Sequence, residues 1–394
     1  MAGERASDAS SDSSNTFWDL ATCAVAVAAY APENPNGTAM DSQMAATPVQ
    51  FDVQEATGRQ WVEASLRVPW RCYENFRMNN ETFHKLHNIL VTNHGLQSTH
   101  EFHSIEALGM FLWACGHGHC MRQVKDRLGR GLGTRSQKFG DVLHAMMSFA
   151  DIVIRPQYPT YSTVHASLRP YSPFFDGCIG AIDGIHIPVC VSRKSHDDYT
   201  NRKGWRSQNV LAVVDFDMRF TFIGVGMAGA VHDMAVLRQG WEAETFPHPP
   251  PGRYYLVDKE YAQEHGYLGP HRQTKYWKKE FKKRGPQHLE EVFNYHHSKL
   301  QNVAERSFGG AKNKWQMLKG MPKYPKDKQN QIIVACFALH NFVRNKNARS
   351  LTIDMPPIPA PSEYSFQWLE STAEDEMSTV RNWITTGLAV MGFR

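Results

Sequence analysis

At 394 residues the chain is longer than one ordinary domain, and its 42% hydrophobic and 21% charged residues exclude a wholly disordered protein. A net charge of +4 excludes a polybasic chain, so any nucleic-acid surface must be local. Seven cysteines without a CxxC pair favour free thiols in a reducing compartment, and no apolar run reaches the ~18 residues of a membrane span, which predicts a soluble intracellular protein.

The first third of the chain predicts a leader followed by helices. Residues 1–55 are rich in Ser, Ala, Asn, Thr and Pro, which predicts a disordered leader, and they lack the pattern of a secretory signal. Residues 56–172 predict a small all-α domain. Its apolar residues follow helical spacing at Trp61–Leu66, Glu81–Leu90, Ile105–Cys115, Gln123–Leu128 and Phe139–Ala150. The turn Gly129–Gly133 is compatible with a helix-turn-helix, although core packing or dimerisation is the favoured role.

Residues 173–345 predict an α/β domain with a mixed sheet flanked by helices. The predicted strands are Cys178–Asp183, Asn209–Asp215, Arg219–Met227 and Tyr254–Asp258. A helix is expected to start within His232–Arg238, a long helix to present one apolar face from Leu300 to Leu318, and another to cover Gln331–Val343. Residues 346–394 predict a Pro-rich linker and a final helix over Glu374–Met391.

Three acidic residues occupy positions that could form a metal site. Asp183 lies in the run Gly180–Gly184, at the end of a predicted strand. Asp258 ends the apolar run that begins at Tyr254, and Glu305 lies near an apolar helix face. Convergent carboxylates repel each other unless they bind cations, and oxygen ligands suit Mg²⁺ or Mn²⁺. Taken singly, each residue is better explained as a turn residue, a helix cap or half of a solvated Glu-Arg pair.

A family resemblance strengthens the prediction of a metal site at these three residues. The segments that carry it are Gly180–Ile187, Tyr199–Asp215, Gly224–Leu237, Tyr254–Tyr261, Phe293–Leu318 and Ala338–Phe342. In this order they resemble the PIF/Harbinger transposase superfamily, including its plant nuclease-like relatives. Residues Gly58–Ala150 resemble the region that precedes the nuclease in those relatives. The resemblance implies an RNase H-like fold with a DDE carboxylate site.

The resemblance also implies roles for four carboxylates. Asp183 matches the first Asp, Asp258 the Asp after the fourth strand, and Glu305 the helical Glu; these are the expected catalytic residues. Asp233 matches a further acidic position often counted with the metal site. Whether Asp233 or Asp258 is the second ligand stays open; Asp258 is favoured because strand order puts it beside Asp183, whereas Asp233 opens a helix and could be its cap. Lys259 and Glu260 depart from the pattern of the relatives.

The implied function is that of a divalent-metal-dependent DNA endonuclease, or a transposase, that uses Mg²⁺ or Mn²⁺ in a two-ion site. The alternative is a domesticated, catalytically silent protein that binds chromatin or protein partners. The resemblance further implies nuclear localisation, with the cytoplasm as the site until a partner imports the chain. The implied partners are DNA, a Myb/SANT-like DNA-binding protein and a second copy of the chain in a homo-oligomer.

Two basic groups are candidate DNA contacts. Between His271 and Arg284 seven Lys or Arg residues face one Glu, interleaved with aromatic residues that could stack on bases. The DNA-binding candidates here are Lys275, Lys278, Lys279, Lys282, Lys283 and Arg284. A solvated helix face or a nuclear localisation signal explains this stretch equally well. Arg193, Lys194, Arg202, Lys203 and Arg206 form the second group, a candidate phosphate track.

Two further motifs predict structure rather than chemistry. Cys115–Cys120 contains two Cys and two His, but their spacing is too cramped for a tetrahedral zinc site. His340 is expected to pack in the core.

Overall fold

The computed structural model describes residues 58–345 and 373–393, apart from 158, 262–263, 277–279 and 282–283. The predicted leader, residues 1–55, and the Pro-rich linker therefore lie outside the described residues. The described chain opens with the helices α1 (Gly58–Arg67), α2 (Pro69–Phe76), α3 (Asn80–Asn93), α4 (Ser104–His117), α5 (Lys125–Leu128) and α6 (Leu132–Val153).

Helix α4 is the centre of this helical region. Its residues from Glu106 to Gly116 are all buried, as expected for a helix that is apolar around most of its circumference. Gly109 lets α1 approach closely, because a Cβ at this position would lie 2.5 Å from the side chain of Val62. Four of the five predicted helical segments lie within these helices, and the fifth is helical only from Lys125.

The sheet has five strands: β1 (Cys178–Pro188), β2 (Ser207–Val214), β3 (Phe220–Ala228), β4 (Tyr254–Val257) and β5 (Tyr267–Leu268). Their order is β3-β2-β1-β4-β5. The pairs β1–β2 and β2–β3 are antiparallel, whereas β4 runs parallel to β1 and β5 parallel to β4. The predicted α/β fold class with a mixed sheet behind a helical region is confirmed.

The remaining helices are α7 (His196–Tyr199), α8 (Asp233–Trp241), α9 (Leu289–Gln301), α10 (Val303–Lys314), α11 (Lys326–Arg344) and α12 (Ala373–Val390). Helix α8 covers one face of the sheet, where a Cβ at Gly240 would lie 2.5 Å from Leu211. Helices α10 and α11 cover the other face, where the ring of Phe220 lies 5.0 Å from that of Phe308 and 4.8 Å from that of Phe337. A register shift between Val213 and Val214 lets Phe222 face α8 while Phe220 faces α10 and α11.

Helix α6 packs against α11. The rings of Phe139 and Tyr324 are stacked 5.8 Å apart, and the rings of Phe149 and Phe342 meet edge to face at 5.6 Å. One continuous hydrophobic core therefore includes both the helical region and the sheet. This arrangement favours core packing over a helix-turn-helix role for α6, because its apolar face is covered.

Two element predictions need correction. The apolar positions from Leu300 to Leu318 do not lie on one helix: α9 ends at Gln301, α10 begins at Val303, and Trp315 has an extended backbone with φ −111° and ψ 90°. These apolar side chains are nonetheless buried. The sequence pattern therefore predicted their burial correctly, but its prediction of one continuous helix was wrong. Strand β1 continues to Pro188 instead of ending at Asp183, because β2 pairs with it throughout that extension.

None of the helices in the described part of the chain combines the length and the apolar character that a membrane crossing requires.

Candidate active site

Asp183 and Asp258 lie side by side because of the register of β1 on β4. Ile182 and Val257 form the last pair of the parallel ladder between β1 and β4. Asp183 and Asp258 are the residues that directly follow this pair on each strand. Parallel neighbours lie about 4.8 Å apart, which brings the two carboxylates to one edge of the ladder. The backbone N–H of Gly184 donates to Oδ1 of Asp183 at 2.8 Å, and that of Lys259 to Oδ1 of Asp258 at 2.6 Å.

Burial raises the pKa of both carboxyl groups, and neighbouring carboxylates raise it further. Burial raises the pKa of Asp183 well above its ordinary value, and the charges of Asp258, Glu305 and Asp233 raise it further. Burial also raises the pKa of Asp258, with smaller increases from Glu260 and Glu305. Acidic groups that lie close enough to raise the pKa of a neighbour are stabilised in their ionised form by a bound cation. The cluster therefore has the electrostatic character of a cation site.

Glu305 reaches this cluster from the first turn of α10. Its side chain is exposed, while Ala304, Ser307 and Phe308 are buried and fix the helix on the sheet. The charge of Glu305 raises the pKa of Asp183, so the two groups are close enough to interact electrostatically. The role of Glu305 as a metal ligand stays a prediction.

Asp233 is not the cap of its helix. The N-cap of α8 is His232, which makes no side-chain cap hydrogen bond, and Asp233 is the first helical residue. Its Oδ1 accepts a 2.6 Å hydrogen bond from Nδ2 of Asn209 on β2. The alternative of a capping role is therefore replaced by a tether to the sheet.

Gly184 forms a space between oxygen atoms beside Asp183. A Cβ at this glycine would lie 3.0 Å from Oδ1 of Asp233, 3.1 Å from Oδ1 of Asn209 and 3.4 Å from the hydroxyl of Tyr261. In the part of the chain that is described, the Asn209 and Tyr261 oxygens are buried without a hydrogen-bond partner. A pocket lined by unsatisfied oxygen atoms suits a hard divalent cation.

The oxygen donors are therefore of the type that divalent cations prefer, but they do not surround a common point. Among the described residues no three His, Cys, Asp or Glu side chains converge closely enough to hold a metal ion. Binding therefore requires the carboxylate side chains to close around the ion.

Three residues of this site were not predicted from the sequence: Asn209, Tyr261 and Tyr276. Tyr276 is only 3% exposed, and its hydroxyl lies 3.3 Å from Nδ1 of His297. Burial raises its pKa well above the ordinary value, and Asp258, Asp183 and Glu305 raise it further, so the ring lies beside the carboxylates. Tyr261 and Asn209 belong to the segments of family resemblance, which is the signal that could have found them.

A basic loop lies at the rim of the site. Thr200 and Arg206 form an isolated β-bridge, and Oδ1 of Asn201 accepts hydrogen bonds from the backbone N–H groups of Lys203 at 2.9 Å and Trp205 at 3.4 Å. The loop exposes Arg202, Lys203, Trp205 and Arg206. Arg202 Nη1 lies 3.3 Å from Oε2 of Glu260, and Nη2 lies 2.8 Å from Nδ1 of His232. This half of the predicted phosphate track therefore borders the carboxylates.

The basic stretch between His271 and Arg284 is only partly described. Lys278, Lys279, Lys282 and Lys283 lie outside the described residues. Arg284 is exposed, whereas Lys275 forms an ion pair with Glu291 at 3.0 Å. The expectation that aromatic residues here stack on bases is wrong for Tyr276 and for Phe281, which is 6% exposed, because both rings pack inward.

The two motifs set aside from the sequence have structural roles. Cys115 is buried in α4, and the rings of His117 and His119 are stacked on each other 5.5 Å apart. His340 is 1% exposed and lies in the core, as predicted.

Comparison with known proteins shows which families the chain resembles. Residues 182–341 match the family described as DDE superfamily endonuclease, and residues 53–148 match a domain of unknown function, DUF8040. The chain is 25% identical over 251 residues to "Putative nuclease HARBI1" of Rattus norvegicus and 24% identical over 285 residues to that of Homo sapiens; these matches cover 60% and 68% of this chain. It is 26% identical over 227 residues, 52% of this chain, to "Protein ALP1-like" of Arabidopsis thaliana. The matches span 65%, 74% and 51% of the three relatives, so the rat protein is covered over just under two thirds of its length. No solved structure matches the chain.

Proposed function

Because residues 182–341 form a DDE superfamily endonuclease domain, we propose that the chain is a divalent-metal-dependent nuclease that hydrolyses DNA phosphodiesters. The observation that carries the proposal is the pairing of Ile182 with Val257, which puts Asp183 beside Asp258 within the electrostatic reach of Glu305. Two buried strands and a helix N-terminus thus place acidic groups near one edge of the sheet.

The proposed roles follow from position. Asp183, Asp258 and Glu305 would hold Mg²⁺ or Mn²⁺, with Asp233 as a supporting ligand tethered by Asn209. If these residues held a pair of such ions, the ions would supply Lewis-acid chemistry that activates a water or a 3′-hydroxyl group and stabilises the leaving oxygen. The Gly184 pocket leaves room at the carboxylates, and Asn209 and Tyr261 line it with oxygen atoms.

DNA would approach across the basic loop. Arg202, Lys203 and Arg206 are exposed cations that can neutralise phosphates, and Asn201 holds the loop in one conformation. The exposed Arg284, with Lys275, Lys278, Lys279, Lys282 and Lys283, would extend this contact. We further propose that the protein acts in the nucleus, with a Myb/SANT-like protein supplying sequence recognition, and that two copies can assemble at paired DNA ends.

The test is nicking of supercoiled DNA in Mn²⁺ by wild type, Asp183→Ala and Glu305→Ala. Glu81→Ala, which changes an exposed acid on α3 in the helical region, is the matched control. We expect nicking by wild type and the control and its loss in the other two. Equal activity in all four proteins, or none in any with the partner and its DNA present, would refute the proposal. The latter result would instead favour a non-cutting chromatin or protein-interaction factor.

A further inference from the structure

A cluster of cations lies beside the carboxylates, centred on His186 of β1. Nζ of Lys312, from α10, donates a 2.8 Å hydrogen bond to the backbone carbonyl of His186. The Trp205 ring lies 6.1 Å from the His186 ring, and Nδ1 of His186 lies 3.0 Å from Oγ of Ser207. We call Lys203, Lys312 and Lys319 the lysine cluster, because the charges of Lys203 and Lys319 both act on Lys312.

The lysine cluster has unbalanced charge. Burial, together with the charges of Lys203 and Lys319, lowers the pKa of Lys312 to about 8. Within the described ranges none of the salt bridges involves a lysine of the cluster. Nζ of Lys319 instead donates to the neutral Oδ1 of Asn313 at 2.9 Å. Cations held together without a carboxylate partner are stabilised by an external anion.

His186 separates this cluster from the carboxylates. Burial lowers the pKa of His186; Asp233 acts on it from one side with a raising effect, and Lys203, Lys312 and Arg202 act with a lowering effect. The two sets of opposite charge are therefore adjacent but distinct. His186 lies three residues after Asp183 on β1, which corresponds to about 10 Å along a strand. That distance is about three nucleotide rises of B-form DNA.

We propose that the lysine cluster, together with Trp205, is a binding subsite for the phosphodiester backbone of DNA a few nucleotides from the cleavage point. This inference rests on the proposed nuclease function and adds a substrate position to it. Arg202 is engaged by Glu260 and His232, so Lys203 is the residue of the basic loop that faces Lys312. Trp205 is 36% exposed, which leaves part of its ring accessible for stacking on a sugar or a base.

The test measures binding without cleavage. Fluorescence anisotropy of a labelled duplex of about 30 base pairs is followed in EDTA, with the full chain, from about 50 to 200 mM KCl. The variants are Lys203→Gln, Lys312→Gln, Lys319→Gln, Trp205→Ala and the Lys203→Gln/Lys312→Gln double variant. Lys85→Gln is the control, since Lys85 is a partly buried lysine like Lys312 but lies on α3.

We expect each cluster variant to bind about five- to tenfold more weakly at low salt and to lower the salt slope by about 0.9 per lost phosphate contact. Trp205→Ala should weaken binding about fivefold with an unchanged slope, because stacking releases no counterion. Lys85→Gln should bind like wild type. Wild-type affinity and slope in Lys203→Gln, Lys319→Gln and the double variant would overturn the inference.

Thermal melting separates folding from binding. Lys312→Gln removes a cation that burial disfavours, so its melting temperature should equal or exceed that of wild type. If Lys312→Gln melts lower, the exposed Lys203→Gln alone decides the outcome. A protein that depends on these lysines for binding but never nicks DNA contradicts only the proposed nuclease function. A protein that nicks DNA while its lysine variants bind normally contradicts only the subsite.

Discussion

Asn209 donates a hydrogen bond of 2.6 Å from Nδ2 to Oδ1 of Asp233, and this bond ties the middle of the sheet to the first turn of α8. It fixes the one acidic group of the site whose role the sequence leaves open. An Asp that is held by a sheet residue and faces the Gly184 pocket is placed to support a metal ion.

Asp233→Asn should therefore reduce Mn²⁺-dependent nicking by about tenfold, whereas Asp183→Asn should reduce it by about a thousandfold or more. The difference arises because a supporting group orients ligands, while Asp183 would bind the ion directly in the proposed site. Nicking rates at saturating Mn²⁺ provide the measurement. Equal losses in the two variants would make Asp233 a full ligand, and no loss in Asp233→Asn would remove it from the site.

Asp183→Asn should stabilise the metal-free protein by about 1 kcal/mol, or roughly 2 °C in melting temperature. The reason is that a carboxyl group with a raised pKa disfavours the folded state once it must ionise. The same substitution should abolish the rise of about 5 °C expected for wild type in Mn²⁺ at about 100 times its Kd. Differential scanning fluorimetry with and without Mn²⁺ measures both effects. A variant that melts below wild type without metal would contradict the electrostatic argument.

The stability of the metal-free wild type should decrease as pH rises from the ordinary Asp value through the raised pKa of Asp183. Below the ordinary value both the folded and the unfolded states are protonated, and no penalty exists. Between the two pKa values only the unfolded state ionises, so each step upward in pH favours unfolding. Relative to that of Asp183→Asn, the melting temperature of wild type should therefore fall progressively as pH rises across this window. Parallel pH profiles of the melting temperatures of the two proteins would contradict this prediction.

DNA binding should weaken as pH rises through the pKa of Lys312, about 8, because only the charged amine attracts phosphate. Lys312→Arg should retain its affinity to about pH 9, since a guanidinium group does not titrate in this range. Anisotropy in EDTA at about pH 7 and pH 9 measures the effect. An identical pH response in wild type and Lys312→Arg would assign the dependence to another group.

Gly184→Ala should fold but bind metal poorly. The new Cβ would stand 3.0 to 3.4 Å from the three oxygen atoms of the pocket, so these groups must move by a few tenths of an ångström. We expect a loss of about 1 kcal/mol of stability and a larger, more than tenfold loss of Mn²⁺ affinity. Gly309→Ala on α10 is the control: nothing lies within 4 Å of its Cβ, and helical Ala should stabilise by about 0.5–1 kcal/mol. Unchanged Mn²⁺ affinity in Gly184→Ala would show that the pocket takes no part in binding.

The sequence predicted most strands of the sheet and the meeting of Asp183 with Asp258, because short apolar runs ending in Asp constrain both the strand and its end. It did not predict that β1 continues past Asp183, since that extension depends on pairing with β2, which no local pattern reports. The break at Asn302 was equally invisible, because apolar spacing continues across it.

The surroundings of the carboxylates were harder still to predict. Asn209 and Asp233 are separated by 24 residues and meet only because α8 folds back on β2. The aromatic residues of the basic stretch were assigned to the surface from their charged neighbours. In the fold Tyr276 packs against His297 of α9, a contact across 21 residues that composition cannot reveal.

The packing of α6 on α11 has a consequence for how the molecule unfolds. The sequence divides the chain into two regions at residue 172. The interface between these regions contains the rings of Phe139, Phe149, Tyr324 and Phe342. Separating those regions would expose two apolar helix faces at once, so neither half should persist alone and heating should produce a single cooperative transition. Gene truncations that isolate the endonuclease domain at that point should therefore aggregate rather than yield a minimal enzyme.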